Sequence, residues 1–229
     1  MPDQVRTEER GVAASDRQAQ RRAARREANR AEILDAAEEV FGRDGIRDGS
    51  LRDIGAVSGF STAAIYLFFD SKQDLVEATL TRRGLELRDA VAEAAAGDET
   101  PMVKLHRIID VTVAFFADRP HFRDLLGHLR GGTAILGPVL GEPETGTNAI
   151  FDEVMTVLAD LVRSGQQADE IREGDPRALA HLYSVLINEY VLLTSAENAV
   201  AGTLSAAQFH DLVDGALRQP AARSRRAKR

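Results

Sequence analysis

The chain has 229 residues, 44% of them hydrophobic and 28% charged, with seven prolines, no cysteine and a net charge of −7. The absence of cysteine excludes disulfides, thiolate metal sites and a cysteine nucleophile. Abundant alanine and few alternating β-branched runs point to an all-α protein. The charge is segregated. Six arginines between Arg17 and Arg30 stand against Glu27 alone, for +5. Residues 220–229 carry another +5, and residues 31–219 carry −15. Basic ends on an acidic body matter more than the total, because counterion release depends on where cations meet phosphate. The N-terminus lacks the apolar core of a signal peptide, and no run approaches the roughly 20 apolar residues of a membrane span. The expectation is a cytoplasmic protein without a membrane partner.

In chain order, residues 1–28 show no apolar periodicity and read as a flexible basic arm. Asn29, with Glu32 in the capping-box position, opens a helix. It carries Ile33, Leu34, Ala37, Val40 and Phe41 on one face, and Gly45 ends it. Ser50 with Asp53 opens a helix to about Ser58, Gly59 closes it, and Ser61 caps a further helix to about Phe69. Two short helices joined at Gly59 are the outline of a helix-turn-helix. Ser71 with Asp74 opens a longer helix to about Ala96.

Thr100-Pro101 opens a helix carrying Leu105, Ile108, Ile109, Val113 and Phe116, followed by a shorter one over about 120–130. Residues 131–148, rich in Gly, Pro and Thr, read as a loop. Helices are predicted over about 148–166, from Asp175-Pro176 to about Ala196, and from Ser205 to about Arg218. The domains are therefore an arm (1–28), a helix-turn-helix domain (29–75), a helical domain (76–219) and a basic tail (220–229).

Within Ser50–Leu75, Leu51, Ile54, Ile65 and Phe69 face inward. The start of the second helix carries only small residues, Ser61, Thr62, Ala63 and Ala64, which lets a helix approach base edges in the major groove. Tyr66 and Lys72 can donate to phosphates.

The ordered set Ile33-Leu34-Asp35-Ala36-Ala37, Phe41, Gly45, Leu51-Arg52-Asp53-Ile54, Gly59, Ser61, Ile65-Tyr66, Phe69, Ser71-Lys72 and Leu75 resembles the DNA-binding domain of the TetR/AcrR family of transcriptional regulators. The resemblance spans about residues 30–78. It implies an N-terminal three-helix helix-turn-helix domain and a larger helical domain for ligand binding and dimerisation. It also implies a regulator, foremost a repressor, released from double-stranded operator DNA by a small-molecule effector. Thr62 and Ala63 would meet bases, Tyr66 a phosphate, Arg52 a phosphate or guanine edge, and Ser50 and Lys72 phosphates at helix N-termini, beside Ser61. The chain departs from the family's usual pattern at Gly55 for alanine, at Phe60 for a smaller aliphatic, and at Phe68 for His or Tyr, which removes one polar donor.

The resemblance further implies a homodimer through the helices at 176–196 and 205–218, and a pocket among the helices of the larger domain. Its polar candidates are His106, Arg107, His128, Asn188 and Glu189. Its apolar candidates are Met102, Phe115, Phe116, Phe122, Phe151, Met155 and Tyr183. No catalytic residue, metal site or cofactor is expected. There is no phosphate loop and no His-Glu-x-x-His, and the five histidines are scattered. The rival reading, an effector-independent or architectural DNA-binding protein, predicts a filled core without a cavity.

Overall fold

The computed structural model describes residues 2–130, 146–194 and 204–219, with side chains for 17–129, 149–194 and 204–219. Among these residues are nine helices: α1 (Pro2–Asp48), α2 (Leu51–Ser58), α3 (Thr62–Ile65), α4 (Lys72–Ala95), α5 (Pro101–Ala117), α6 (Pro120–Arg130), α7 (Gly146–Gln167), α8 (Pro176–Leu193) and α9 (Ala206–Leu217). The only β-type pairing among them is an isolated antiparallel bridge between Ile171 and Arg218. The chain divides inside α4 into two compact units, residues 1–79 and 80–229; the sequence suggested a boundary after Leu75. Of the loop expected at 131–148, residues 131–145 lie outside the described residues, and α7 already begins at Gly146. The basic tail from residue 220 lies outside them as well.

Helix starts follow short side-chain caps. Ser50, Ser61 and Ser71 accept from the backbone N–H groups of Asp53, Ala64 and Asp74 at 3.2, 3.1 and 3.0 Å. Asp175 caps α8 through the Ala178 N–H at 2.8 Å. Ser205 and Gln208 cap α9 reciprocally, at 3.3 and 2.9 Å. Each bond satisfies a donor that the first helical turn leaves free.

Two boundaries, at Asn29 and at the end of α3, differ from expectation, whereas the break at Gly45 agrees with it. Asn29 and Glu32 lie inside α1, which runs back to Pro2; residues 12–28 are mostly Ala, Arg, Glu and Gln, all strong helix formers, with neither Gly nor Pro to stop propagation. Gly45 leaves helical geometry at φ 78°, ψ 164°, and the chain then turns as far as Gly49, whose N–H reaches the Gly45 carbonyl at 3.0 Å. The α-helical part of α3 stops at Ile65, because Leu67 and Phe68 donate three residues back, to Ala64 and Ile65, and tighten the chain toward Phe69.

The core of the first unit joins Ile33, Leu34, Val40 and Phe41 of α1 to Ile54, Ile65, Phe69 and Leu75, all nearly inaccessible. At about 1.5–3 kcal/mol for each large apolar side chain buried, this cluster fixes the helix-turn-helix without disulfide or metal. Gly59, at φ 76°, supplies the left-handed turn between α2 and α3. In the second unit Leu105, Ile109, Leu125, Met155, Val162 and Val213 form the core. Tyr190 of α8 stacks on Phe209 of α9 at 4.1 Å. The end of α9 is clipped to the segment after α7 by Arg172 N–H to Leu217 O, 2.8 Å, and Gln219 N–H to Glu170 O, 3.0 Å. No helix among the described residues is long and apolar enough to cross a membrane.

Candidate nucleic-acid interface and candidate ligand cavity

In the first unit Ile54, Ile65 and Phe69 are buried and hold α2 and α3 from below. That leaves Arg52, Ser61, Thr62, Ala63 and Tyr66 exposed, with Ser50 and Lys72 half-buried. Among the described residues no ion pair or hydrogen bond engages the Arg52 guanidinium or the Tyr66 hydroxyl, so both can donate outward. Ser50 and Ser61 are already engaged as caps, and Ser50 also donates to the Asp53 carboxylate. Lys72 donates to the Arg47 carbonyl at 3.2 Å and lies 5.9 Å from the centre of the Phe41 ring. It thus ties the start of α4 to the end of α1, and its ammonium keeps two further protons.

Two features of this surface had no local signal. Leu67, 73% exposed, continues the face of Thr62, Ala63 and Tyr66. Phe68 is covered by the Arg26 guanidinium, 5.7 Å from the ring centre, and Arg30 sits 5.1 Å over Phe69. The cation therefore returns at the position where the aromatic ring replaced a polar donor, 42 residues away in sequence. Arg17, Arg21, Arg22, Arg25 and Arg26 are exposed on α1 and form no ion pair among the described residues.

Gly55 departs from the family's alanine for a steric reason. A Cβ there would lie 2.5 Å from the Phe60 carbonyl oxygen. The cost in helix propensity permits a close approach of α2 to the turn that follows it.

The second unit contains a cavity of about 90 Å³. That exceeds the roughly 10–15 Å³ that a single water occupies, so a small organic molecule has room. Of the residues proposed from sequence, Phe116, Phe122, Phe151, Tyr183 and Asn188 line it. Phe116 and Phe122 stack at 5.9 Å to make one wall. Met102, His106, Phe115 and Met155 are not in the lining. Met102 and Met155 are core, each 2% exposed. Phe115 packs edge-on against Phe116 and Phe122, under Arg119 at 4.1 Å.

Arg107 also faces elsewhere: it donates to the Ala94 and Ala96 carbonyls at 2.8 and 2.7 Å and so caps the end of α4. Neither His128 nor Glu189 is in the lining. The wall missing from the sequence reading is the α4 stripe Leu80, Gly84, Leu87 and Val91. Its spacing of four, three and four residues was a legible periodic signal.

Polar groups in the cavity are few. Burial, and then the nearby charge of Asp110, push the Tyr183 hydroxyl well above its ordinary range. It stays protonated and donates to the Leu105 carbonyl at 2.5 Å. Asn188 Nδ2 is buried without a hydrogen-bond partner among the described residues. Thr112 and Ser184 add to the polar lining, and no Lys, Arg, His, Asp or Glu among the described residues belongs to it.

His106 instead joins a cluster between α5 and α9. Its Nε2 donates to Asp214 Oδ1 at 2.7 Å, and its ring stacks on His210 at 4.6 Å. His210 Nε2 lies 3.0 Å from Asp110 Oδ1, close enough for an ion pair but outside hydrogen-bond alignment. No group of three or more His, Cys, Asp or Glu among the described residues could hold a metal ion.

Residues 33–79 match the family model described as bacterial regulatory proteins, tetR family. The chain is 31% identical to the uncharacterized HTH-type transcriptional regulator TtgW of Pseudomonas putida over 105 residues, 45% of this chain and 71% of that protein. It is 30% identical to the HTH-type nicotine-responsive transcriptional repressor HdnoR of Paenarthrobacter nicotinovorans over 82 residues, 36% of this chain and 42% of that one. Its fold is similar to that of the transcriptional regulator FadR from Bacillus subtilis, solved in complex with stearoyl-CoA, with a TM-score of 0.66 at 22% identity over 81% of this chain and 95% of that one. The helix-turn-helix with its outward-facing donors, the helices of the second unit and these likenesses place the chain in the TetR family, as a DNA-binding transcriptional regulator and not an enzyme.

Proposed function

We propose that the protein is a repressor that binds operator DNA as a homodimer and leaves it when a small molecule enters the cavity of the second unit. The observation that carries this reading is the cavity itself, in a chain whose other unit presents unpaired donors on a helix-turn-helix. An effector-independent or architectural protein predicts a filled core instead. On the DNA side, Thr62 and Ala63 face bases, while Tyr66, Arg52 and Lys72 face phosphates. Ser50 and Ser61 present the first turns of α2 and α3, and Arg26 supplies the phosphate contact that Phe68 cannot.

The dimer uses α8 and α9. Ala178, Leu182, Glu189 and Leu193 form an exposed stripe along α8, and Leu212 of α9 is 44% exposed. Two recognition segments on half-sites one DNA turn apart, on the order of 34–36 Å, require such a pairing. Helix α4 carries Leu75 of the first core and the Leu80–Val91 stripe of the cavity wall, so a ligand that displaces the stripe acts on the helix that also anchors the DNA-binding unit. Release requires tighter effector binding to the DNA-incompatible state.

The test is salt-dependent binding to the DNA flanking the protein's own gene, for wild type, Tyr66→Phe and Lys72→Ala. Selective binding weakened in both variants supports the reading. Weak binding, equal on unrelated DNA and unchanged in the variants, overturns it.

A further inference from the structure

The chemistry of the cavity narrows what can occupy it. We propose that its ligand is an uncharged, largely apolar molecule carrying one hydrogen-bond acceptor of the carbonyl type, and that the acceptor is met by the Asn188 amide. This rests on the reading of the cavity as an effector site.

The argument begins with what is missing from the walls. Among the described residues no ionisable acid or base lines the cavity apart from Tyr183, and the hydroxyl of Tyr183 is spent on the Leu105 carbonyl. A charged group brought inside would lose its water with no opposite charge to replace it. The apolar walls, including Leu80, Ile108, Phe116 and Phe122, reward hydrocarbon.

Asn188 breaks that pattern. Its Nδ2 has given up water and gained no partner among the described residues, a state that costs stability and that leucine, of similar volume, would avoid. The folded chain alone gives no use for an amide here; an acceptor in the cavity does. Ser184 lies one turn earlier on the same face of α8 and also lines the cavity, so the polar end of the ligand sits against α8 and its hydrocarbon against α4 and the phenylalanines.

The experiment uses the full-length protein and displacement of the neutral fluorophore N-phenyl-1-naphthylamine by 2-octanone, 2-methyloctane and octanoate, in wild type and Asn188→Leu. The two neutral probes share a shape and differ in the acceptor; octanoate adds the charge. In the leucine variant 2-octanone is expected to bind about tenfold more weakly and 2-methyloctane to stay within about threefold of wild type. In wild type octanoate is expected to bind at least about 100-fold more weakly than the ketone.

The melting temperature of ligand-free Asn188→Leu is expected to equal or exceed that of wild type. A lower value would show that the amide serves the fold and would overturn the assignment. Equal losses for ketone and alkane, or octanoate matching the ketone, would overturn it while leaving the cavity a ligand site. If wild type takes up neither the fluorophore nor any probe, the effector reading fails and this inference with it.

Discussion

The two units solve opposite problems with similar cores. In the first, the apolar cluster from Ile33 to Leu75 is buried, and the polar chemistry stands outside on Arg52, Thr62, Tyr66 and the arginines of α1. In the second, the chemistry is turned inward. A gap is left among Phe116, Phe122 and the α4 stripe, and an unpaired amide faces it. A DNA surface needs a rigid base under exposed cations, because its partner is a fixed array of charge. A small-molecule site needs packing held short of completion, because its partner becomes the missing piece of the core. Substitutions that tighten packing should therefore harm the first unit through its geometry and the second through its ligand.

The sharpest break of that comparison is at Gly55. Helix propensity alone says alanine should stabilise α2 by about 1 kcal/mol. The structure says the opposite, because the new Cβ would meet the Phe60 carbonyl oxygen at 2.5 Å, and a backbone atom cannot swing aside as a side chain does. Gly55→Ala is expected to destabilise the first unit by about 2 kcal/mol and to reduce operator binding with it. Thermal unfolding beside DNA titration reads both. A variant more stable than wild type would show that the approach of α2 to Phe60 is not a constraint.

A smaller effect sharpens the account of the DNA surface. If Arg26 over Phe68 replaces a polar donor, Arg26→Ala should weaken DNA binding uniformly across sequences and lower the slope of log K against log salt by about one. Phe68→His in that background should restore part of the loss, whereas the same change in wild type should add little. Recovery absent in the double variant would separate Arg26 from the role assigned to it.

How much of this was legible in the sequence follows from how far each feature reaches along the chain. Ser50, Ser61, Ser71, Asp175 and Ser205 cap helices through bonds three residues long, and the sequence placed each of these starts. The start at Asn29 failed because a local cap cannot announce that the helix already extends before it. Arg26 over Phe68 and His106 on Asp214 join residues 42 and 108 apart, and nothing nearby in sequence signals either pairing. The cavity was half legible. Phe116 and Met155 both occupy buried faces of periodic helices, and only packing separates a wall from a core. His106 and Arg107 were attractive as isolated polar groups among apolar ones, yet their partners, Asp214 and the end of α4, turn both to structural use.

That structural use carries the smallest effect and a defined pH dependence. Burial raises the Asp214 carboxyl, but hydrogen bonds from Arg218 at 2.7 Å and His106 at 2.7 Å outweigh it, and the net shift is downward. A carboxyl whose folded pKa lies below its unfolded one adds stability above the unfolded value and loses it as the pH falls through the folded value. Above about pH 5 the contribution is complete, and it fades below about pH 4, where ordinary aspartates protonate. Partial exposure keeps it to about 1 kcal/mol or less. Asp214→Asn should therefore lower the melting temperature slightly at pH 7 and much less near pH 3, so that the two unfolding curves converge on acidification. A difference that persists or grows in acid would mean that α9 is held to α5 by packing of Phe209, Val213 and the stacked His106–His210 pair, with the carboxylate a bystander.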